Sequence, residues 1–331
     1  MARIFLTHSP DMLANYYGPR AVAALAKLGE LRINPTGEVL TTAALVAASR
    51  GCEIIVSDRQ TPGEAAFFDQ SPDIVAFLRC AVDIRNIDVA AASRHGVLVT
   101  HATPGFAASV AEMALGFIVG LARHVPDAVL DYRAGRQAAA QIGVQLKGSV
   151  LGIIGYGTIG AYLAPIARAL GMTVLACDPY KTVDEPGLRQ VSLDALLRES
   201  DFVVCLAVAT KETENLLDQT AFAQMKRTAY FINLSRGLLV DEKALERALD
   251  ERQIAGAALD VGRAPDEKPP LFLASRPDVV ATPHVAGLTP QAIEHQAFDT
   301  VGQVAELVGG RVPPGAANAE QATRLSRLRK S

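Results

Sequence analysis

Residues 151–160 read L-G-I-I-G-Y-G-T-I-G, and Asp178 follows eighteen positions after the last glycine. The apolar run 150–154 predicts a short, fully buried strand. Gly155 makes the tight turn, Gly157 lets the backbone approach a pyrophosphate, and Gly160 lets the next helix pack close to the strand. That helix opens near Thr158 and Ile159, and its first free N–H groups face the phosphates. A second strand over 172–177 ends at Asp178, whose carboxylate can accept both hydroxyls of a ribose. Strand, turn, helix, second strand and acidic terminus stand in register and predict a dinucleotide-binding unit. Asp178 selects NAD, because a carboxylate repels a 2′-phosphate; Lys181, three residues on, softens that preference slightly.

Composition sets the outer limits. The chain has 331 residues, half of them hydrophobic, enough for two domains with separate cores. A formal charge of −3 implies no broad attraction to nucleic acid or to an anionic membrane. Cys52, Cys80, Cys177 and Cys205 lie far apart without C-x-x-C pairs, as expected of reduced thiols in a cytoplasmic protein. The first ten residues, M-A-R-I-F-L-T-H-S-P, are too short and polar for a signal peptide. The most apolar window, 107–122, carries Glu112 and reads as a long buried helix rather than a membrane span.

Around the glycine turn the chain alternates between two periodicities. Strands are predicted at 4–7, 31–33, 54–57, 74–78 and 97–99, with helical patterns at 21–28, 42–49, 64–68 and 89–94 between them. Two helices follow, over 106–125 and from Asp127. A second alternation then places strands at 150–154, 172–177, 202–206, 229–233, 255–259 and 279–281. Such alternation predicts two doubly wound α/β domains, each with a parallel sheet. The helix predicted over 288–307 returns to the first domain, which makes that domain discontinuous and leaves a cleft between the two. From Pro313 the chain is rich in Pro, Gly and Ala and then basic (Arg324, Arg327, Arg329, Lys330), which predicts a disordered end. Pro165, inside the helix after the glycine turn, predicts a bend.

Three polar groups follow predicted strands. Arg236, in N-L-S-R-G after the strand 229–233, stands where a parallel strand points at a ligand, and its fork of donors suits a carboxylate or keto oxygen. Asp260 ends the strand 255–259. His284, in T-P-H-V-A-G after the strand 279–281, has the chemistry for proton transfer to an alcohol or ketone at neutral pH. His101, also at a strand end, is its one competitor.

These stretches resemble the D-isomer-specific 2-hydroxyacid dehydrogenase family over nearly the whole chain. The matching segments are R-C-A-V-D-I-R-N-I-D (79–88), S-V-A-E (109–112), G-Y-G-T-I-G with Asp178, N-L-S-R-G-L-L-V-D-E-K-A-L (233–245), A-A-L-D-V (257–261) and T-P-H-V-A-G (282–287). The resemblance implies a flavodoxin-like substrate domain (1–101 plus 288–315), a Rossmann NAD domain (102–287), a basic tail (316–331) and a homodimer built around the NAD domain. It implies that Arg236 grips a 2-oxo acid and His284 passes the proton, while hydride moves between substrate C2 and nicotinamide C4. The cofactor-binding candidates are Gly155, Gly157, Thr158, Ile159, Gly160, Asp178, Ala207, Leu234, Asp260 and Gly287. The substrate-binding candidates are Arg236, Ala81, Val82 and Phe106, and no metal is assigned.

The chain departs from the family pattern at the histidine's partner. The family glutamate lies five residues after the aspartate of A-L-D-V, which here is Pro265, while eighteen residues before His284 stands Asp266. One inserted residue reconciles the two counts, so Asp266 is expected to pair with His284, with Glu267 as second choice. A carboxylate there favours the cationic, proton-donating imidazole. Leu206 and Val208 replace a frequent histidine and proline, Phe106 replaces an asparagine, and Cys80-Ala81-Val82-Asp83 lacks the usual loop glycines. These changes predict an apolar or aromatic substituent on the 2-oxo acid. The alternatives are a sister dehydrogenase acting on 3-phosphoglycerate, phosphite or formate, and a non-catalytic NAD-sensing binding protein of the same fold.

Overall fold

The computed structural model describes residues 1–330 and the side chains of residues 1–328. The chain forms two compact units, residues 1–106 with 289–330, and residues 107–288.

The first unit holds five strands: β1 (Ala2–Leu6), β2 (Gly29–Ile33), β3 (Ile54–Ser57), β4 (Ala76–Arg79) and β5 (Leu98–His101). They pair in parallel in the order β2-β1-β3-β4-β5, the flavodoxin-like order. Central strands such as β3 (I-I-V-S) are buried at every residue, as a sheet covered on both faces demands. One face packs under the helix Pro290–Val308, whose Ala297, Val304 and Leu307 join Ile4, Leu6 and Tyr17 in the core.

The segment 315–324 departs from the disordered end that its composition predicts. β5 is an edge strand, and its unpaired backbone groups offer this segment a partner. His101 N–H donates to Gly315 O at 3.0 Å and Ala317 N–H to Val99 O at 2.9 Å. The Asn318 amide accepts from Val99 N–H and donates to Val97 O, at 2.8 and 2.9 Å. Arg324 then donates to the carbonyl of Ile74 at 2.9 Å, while Ala322 is buried. A string of small residues is what lets the backbone lie this close to the sheet. Ser331 and the side chains of Arg329 and Lys330 lie outside the described residues.

The second unit holds seven parallel strands: β6 (Val150–Ile154), β7 (Thr173–Cys177), β8 (Leu188–Gln190), β9 (Phe202–Cys205), β10 (Tyr230–Asn233), β11 (Gly256–Leu259) and β12 (Val279–Ala281). Their order, β12-β11-β10-β9-β6-β7-β8, reverses direction between β6 and β9 and makes the doubly wound pattern of a nucleotide-binding sheet. β8 has no counterpart among the predicted strands because its L-R-Q is mostly exposed and carries no apolar run. The helix Ala107–Ala122 buries Val110, Ala114, Phe117, Ile118 and Leu121, and meets the helix Val125–Arg133 at 73°. The turn falls at His124, whose φ of 51° lies in the left-handed region. Among the described residues no single helix is long and apolar enough to cross a membrane. The helix Thr158–Ala169 continues through Pro165 as one element.

Candidate active site

The chain reverses its winding at the carboxyl ends of β6 and β9, and the glycine turn sits there. Gly155 has φ +87°, and a Cβ on it would meet Ala207, just past β9, at 2.5 Å from the Cα. Any side chain at 155 is therefore excluded twice, by backbone conformation and by the neighbouring strand. Gly157 is different: a Cβ there meets nothing within 4 Å, so the residue faces open space. It is also the N-cap of Thr158–Ala169 and offers no side-chain acceptor, whereas Ser192, Asp218 and Asp241 cap later helices of the same unit with their side chains. The first N–H groups after Gly157 are thus left for an anion. Gly160 is buried against the Gly155 carbonyl, 3.1 Å from its own would-be Cβ. Asp178, one strand over, accepts from the N–H groups of Tyr156 and Tyr180, both at 2.9 Å, and so is oriented beside the turn. Lys181 is held by the Tyr156 carbonyl at 3.3 Å and lies over the Tyr156 ring. An open glycine, an uncapped helix and a fixed carboxylate fit the pyrophosphate and ribose of a dinucleotide.

The remaining polar residues line the same edge of the sheet, one strand at a time. Arg236 follows β10. The buried Asn233 folds the loop beneath it, donating to the Arg236 carbonyl at 3.1 Å and accepting from Ser235 N–H at 3.1 Å. Ser235 Oγ also donates to the Ala207 carbonyl. Asp260 follows β11 and is only 1% exposed. Its carboxylate accepts from Thr282 Oγ1 at 2.6 Å, Val285 N–H at 2.8 Å and Ala286 N–H at 2.9 Å. These three donors flank His284, which follows β12 and adopts φ 59°. A non-glycine residue in that region is costly unless its surroundings enforce it, and here a buried carboxylate does so.

Glu267, not Asp266, meets the histidine. Glu267 Oε2 lies 3.4 Å from His284 Nδ1, and Oε1 lies 3.5 Å from Arg236 Nε. The carboxylate therefore stands between both residues. Asp266 is exposed and pairs with Lys268 at 3.1 Å, which holds its carboxyl below the usual carboxylate range. The expectation of Asp266 fails because spacing counts assume a loop of fixed course. In this chain the Glu267 backbone takes φ 56°, with its N–H on the Ala264 carbonyl at 2.8 Å and its carbonyl on Gly262 N–H at 2.9 Å. That turn reverses the chain by one residue more than the count allows, so the next carboxylate along faces inward.

Leu234 is buried beside this group, and Gly287 is half-buried at the end of the histidine loop. Leu206 is half-buried and Val208 exposed, both just past β9. Ala81, Val82 and Phe106 belong to the other unit, where all three are half-buried and the Ala81 carbonyl accepts from Ala102 N–H at 3.0 Å. His101 lies there too, its Nδ1 3.0 Å from the Ala102 carbonyl. Burial pushes the thiols of Cys80 and Cys205 up to about 12, so neither supplies a thiolate at neutral pH.

The sheet, the open glycine turn and the oriented acidic residue define an α/β dinucleotide-binding protein. Comparison with known proteins narrows this. Residues 115–286 match the NAD-binding domain of the D-isomer specific 2-hydroxyacid dehydrogenases. The chain is 34% identical to a glyoxylate reductase of Korarchaeum cryptofilum, across 83% of this chain and 86% of that protein. It is 38% identical to a D-3-phosphoglycerate dehydrogenase of Synechocystis across 72% of this chain, but spans only 44% of that longer protein. Among solved structures, the NAD-complexed D-isomer specific 2-hydroxyacid dehydrogenase of Lactobacillus delbrueckii ssp. bulgaricus superposes with a TM-score of 0.79 at 26% identity, covering 96% of this chain and all of that one. The chain belongs to the D-isomer specific 2-hydroxyacid dehydrogenase family, and its cofactor is NAD.

Proposed function

We propose that the protein interconverts a D-2-hydroxy acid and its 2-oxo acid. The observation that carries this reading is the Glu267 carboxylate placed between Arg236 and His284, at 3.5 and 3.4 Å. Arg236 binds the substrate carboxylate and polarises the carbonyl with its fork of N–H donors. His284 gives a proton to the carbonyl oxygen during reduction and takes it back during oxidation. Glu267 offsets the positive charge on the imidazolium and fixes the ring through Nδ1, leaving Nε2 as the nitrogen that exchanges protons. NAD, when bound, supplies the hydride acceptor or donor. Gly157 and the first turn from Thr158 seat its pyrophosphate, and Asp178 takes its ribose.

The presence of Glu267 beside His284 counts against the formate-type alternative, which lacks such a partner, and Arg236 and His284 together favour catalysis over a non-catalytic NAD-sensing protein. Leu206 and Val208, both beyond β9 at the ligand edge of the sheet, favour an apolar substituent on the 2-oxo acid. The test is NADH oxidation over a panel that includes glyoxylate, hydroxypyruvate and phenylpyruvate. Wild-type protein turns over members of the panel, Arg236→Ala loses turnover while NADH fluorescence still reports binding, and Glu267→Gln is impaired where Asp266→Asn is not. Normal turnover by Arg236→Ala overturns the mechanism.

The active form is a homodimer through the NAD unit. Leu130 is 63% exposed, Ile142 is 99% exposed, and Val125 and Tyr132 are exposed on the same stretch. Exposed apolar side chains gathered on one segment fit a second copy of the chain. Sedimentation shows a dimer for the wild type and a monomer for the Leu130→Asp/Ile142→Asp variant; a monomeric wild type refutes the proposal.

A further inference from the structure

The turn that presents Glu267 is held from outside itself. Arg263, four residues before Glu267, crosses to the loop that follows Arg236. Its Nε donates to the Val240 carbonyl and one terminal nitrogen to the Leu238 carbonyl, both at 2.9 Å. The same nitrogen donates to the Asn215 side-chain oxygen, and the other lies 3.4 Å from Glu214 Oε1. The Arg263 backbone N–H donates to Glu242 Oε1 at 2.8 Å. One guanidinium thus spans two carbonyls of the segment that begins at Arg236. Two glycines bring the backbones into direct contact beside it. A Cβ on Gly237 would lie 2.0 Å from the Gly262 carbonyl carbon, and a Cβ on Gly262 would lie 2.3 Å from the Lys268 carbonyl oxygen.

We propose that Arg263 is a positioning residue. It locks the Glu267 loop onto the Arg236 loop and so sets the separation of Arg236, Glu267 and His284. The inference rests on the reading of those three residues as the reacting group. Glu267 stands seven residues after Asp260 and seventeen before His284, a spacing at which an unrestrained loop has many ways to point its carboxylate elsewhere. Local bonds at Ala264 and Gly262 shape the turn, while Arg263 and the glycine contact tie that turn to the loop carrying Arg236. The planar fork is what reaches two carbonyls at once, and a lysine has no equivalent geometry. The charged groups around the device are Glu214 and Glu242 on Arg263, Lys268 on Asp266, and Arg236 and Glu267 at the histidine. Asp260 faces the backbone of the histidine loop.

The test compares Arg263→Ala, Arg263→Lys, Glu267→Gln and the double variant Arg263→Ala/Glu267→Gln, with glyoxylate and phenylpyruvate as probes and NADH as reductant. Arg263→Ala lowers kcat on the order of 10- to 100-fold, the scale expected when a reacting group is displaced by about an ångström. NADH affinity is unchanged. The alkaline limb of the reduction profile moves to lower pH, as it does in Glu267→Gln, because both variants take the carboxylate from Nδ1. The double variant is no slower than Glu267→Gln, since positioning a glutamine restores no charge. Arg263→Lys lies between wild type and Arg263→Ala. Multiplicative losses in the double variant, or a pH limb unmoved in Arg263→Ala, overturn the proposal and leave Arg263 a structural staple.

If the wild type turns over neither probe, the proposed function fails and the positioning is read from His284 itself. In histidine-labelled protein the His284 ring signal then titrates at lower pH in both Arg263→Ala and Glu267→Gln than in wild type. A titration in Arg263→Ala identical to wild type overturns the positioning role. Thermal melting confirms that each variant is folded; if Arg263→Ala is not, Arg263→Gln takes its place in every comparison.

Discussion

Asp260 stands behind the histidine loop, and removing its carboxylate separates two roles it could play. In Asp260→Asn the retained oxygen still accepts from Thr282 Oγ1 and Val285 N–H, now without its charge. The new amide NH₂ faces Ala286 N–H, donor against donor. Hydrogen bonds to a charged acceptor are worth about 1.5–3 kcal/mol and neutral ones about 0.5–1.5, so the two survivors lose roughly 1 kcal/mol each. The third bond is lost and leaves a buried N–H unsatisfied, which costs a further 1–3 kcal/mol or so. The sum is about 3–5 kcal/mol at a site that is 1% exposed, where water cannot readily substitute. The left-handed conformation of His284 itself costs on the order of 1–3 kcal/mol, so the clamp loses more than the strain it opposes. Hydrogen exchange read by mass spectrometry on the peptide spanning 282–288 measures this directly. Protection at Val285 and Ala286 falls by roughly 100-fold or more, as about 3 kcal/mol requires. Turnover falls with it, while the dissociation constant for NADH changes little. Unchanged exchange over 282–288, combined with a large loss of NADH affinity, refutes the clamp and makes Asp260 a cofactor contact only.

Cofactor choice and acid stability give two more tests. Wild type is expected to use NADH in preference to NADPH, and Asp178→Ala to reduce the ratio of their kcat/KM values by about tenfold or more, because it removes a like charge from the 2′-phosphate; equal efficiency with both cofactors in the wild type defeats the assignment. His8 is buried, its Nδ1 has no partner, and burial lowers its pKa from 6.5 to about 4. The unfolded chain therefore takes up a proton below about 6.5 that the folded chain refuses until about 4. Stability is full above that window and falls by about 3 kcal/mol as the pH drops through it. His8→Phe removes this slope from denaturant titrations run at pH 7, 5.5 and 4.5, and an identical slope in wild type and variant excludes His8 as its source.

Much of the fold is legible in the residues because a parallel sheet covered on both faces needs uninterrupted apolar runs, and such runs stand out: V-L-G-I-I, F-V-V-C and Y-F-I-N all become central strands. β8 has no such run, and the segment 315–324 is ordered by the open edge of β5 rather than by its own composition. Arg236 and His284 are legible for a related reason. Each comes three residues after a parallel strand ends, and the carboxyl ends of neighbouring parallel strands share one edge. Glu267 is harder to place because it is carried by a loop, and a residue count along a loop says nothing about the dihedral angles that aim a side chain. The clue lay beside it, in G-R-A-P-D-E: a glycine where a close backbone contact is needed, then an arginine able to grip distant carbonyls. That pair has meaning only once Gly237 is known to lie against Gly262. The local turn aims Glu267 inward and Lys268 holds Asp266 outward, while Gly262 and Arg263 seat that turn against the Arg236 loop. The identity of the histidine's partner is therefore encoded in the residues that fix the loop, and not in the acidic residue alone.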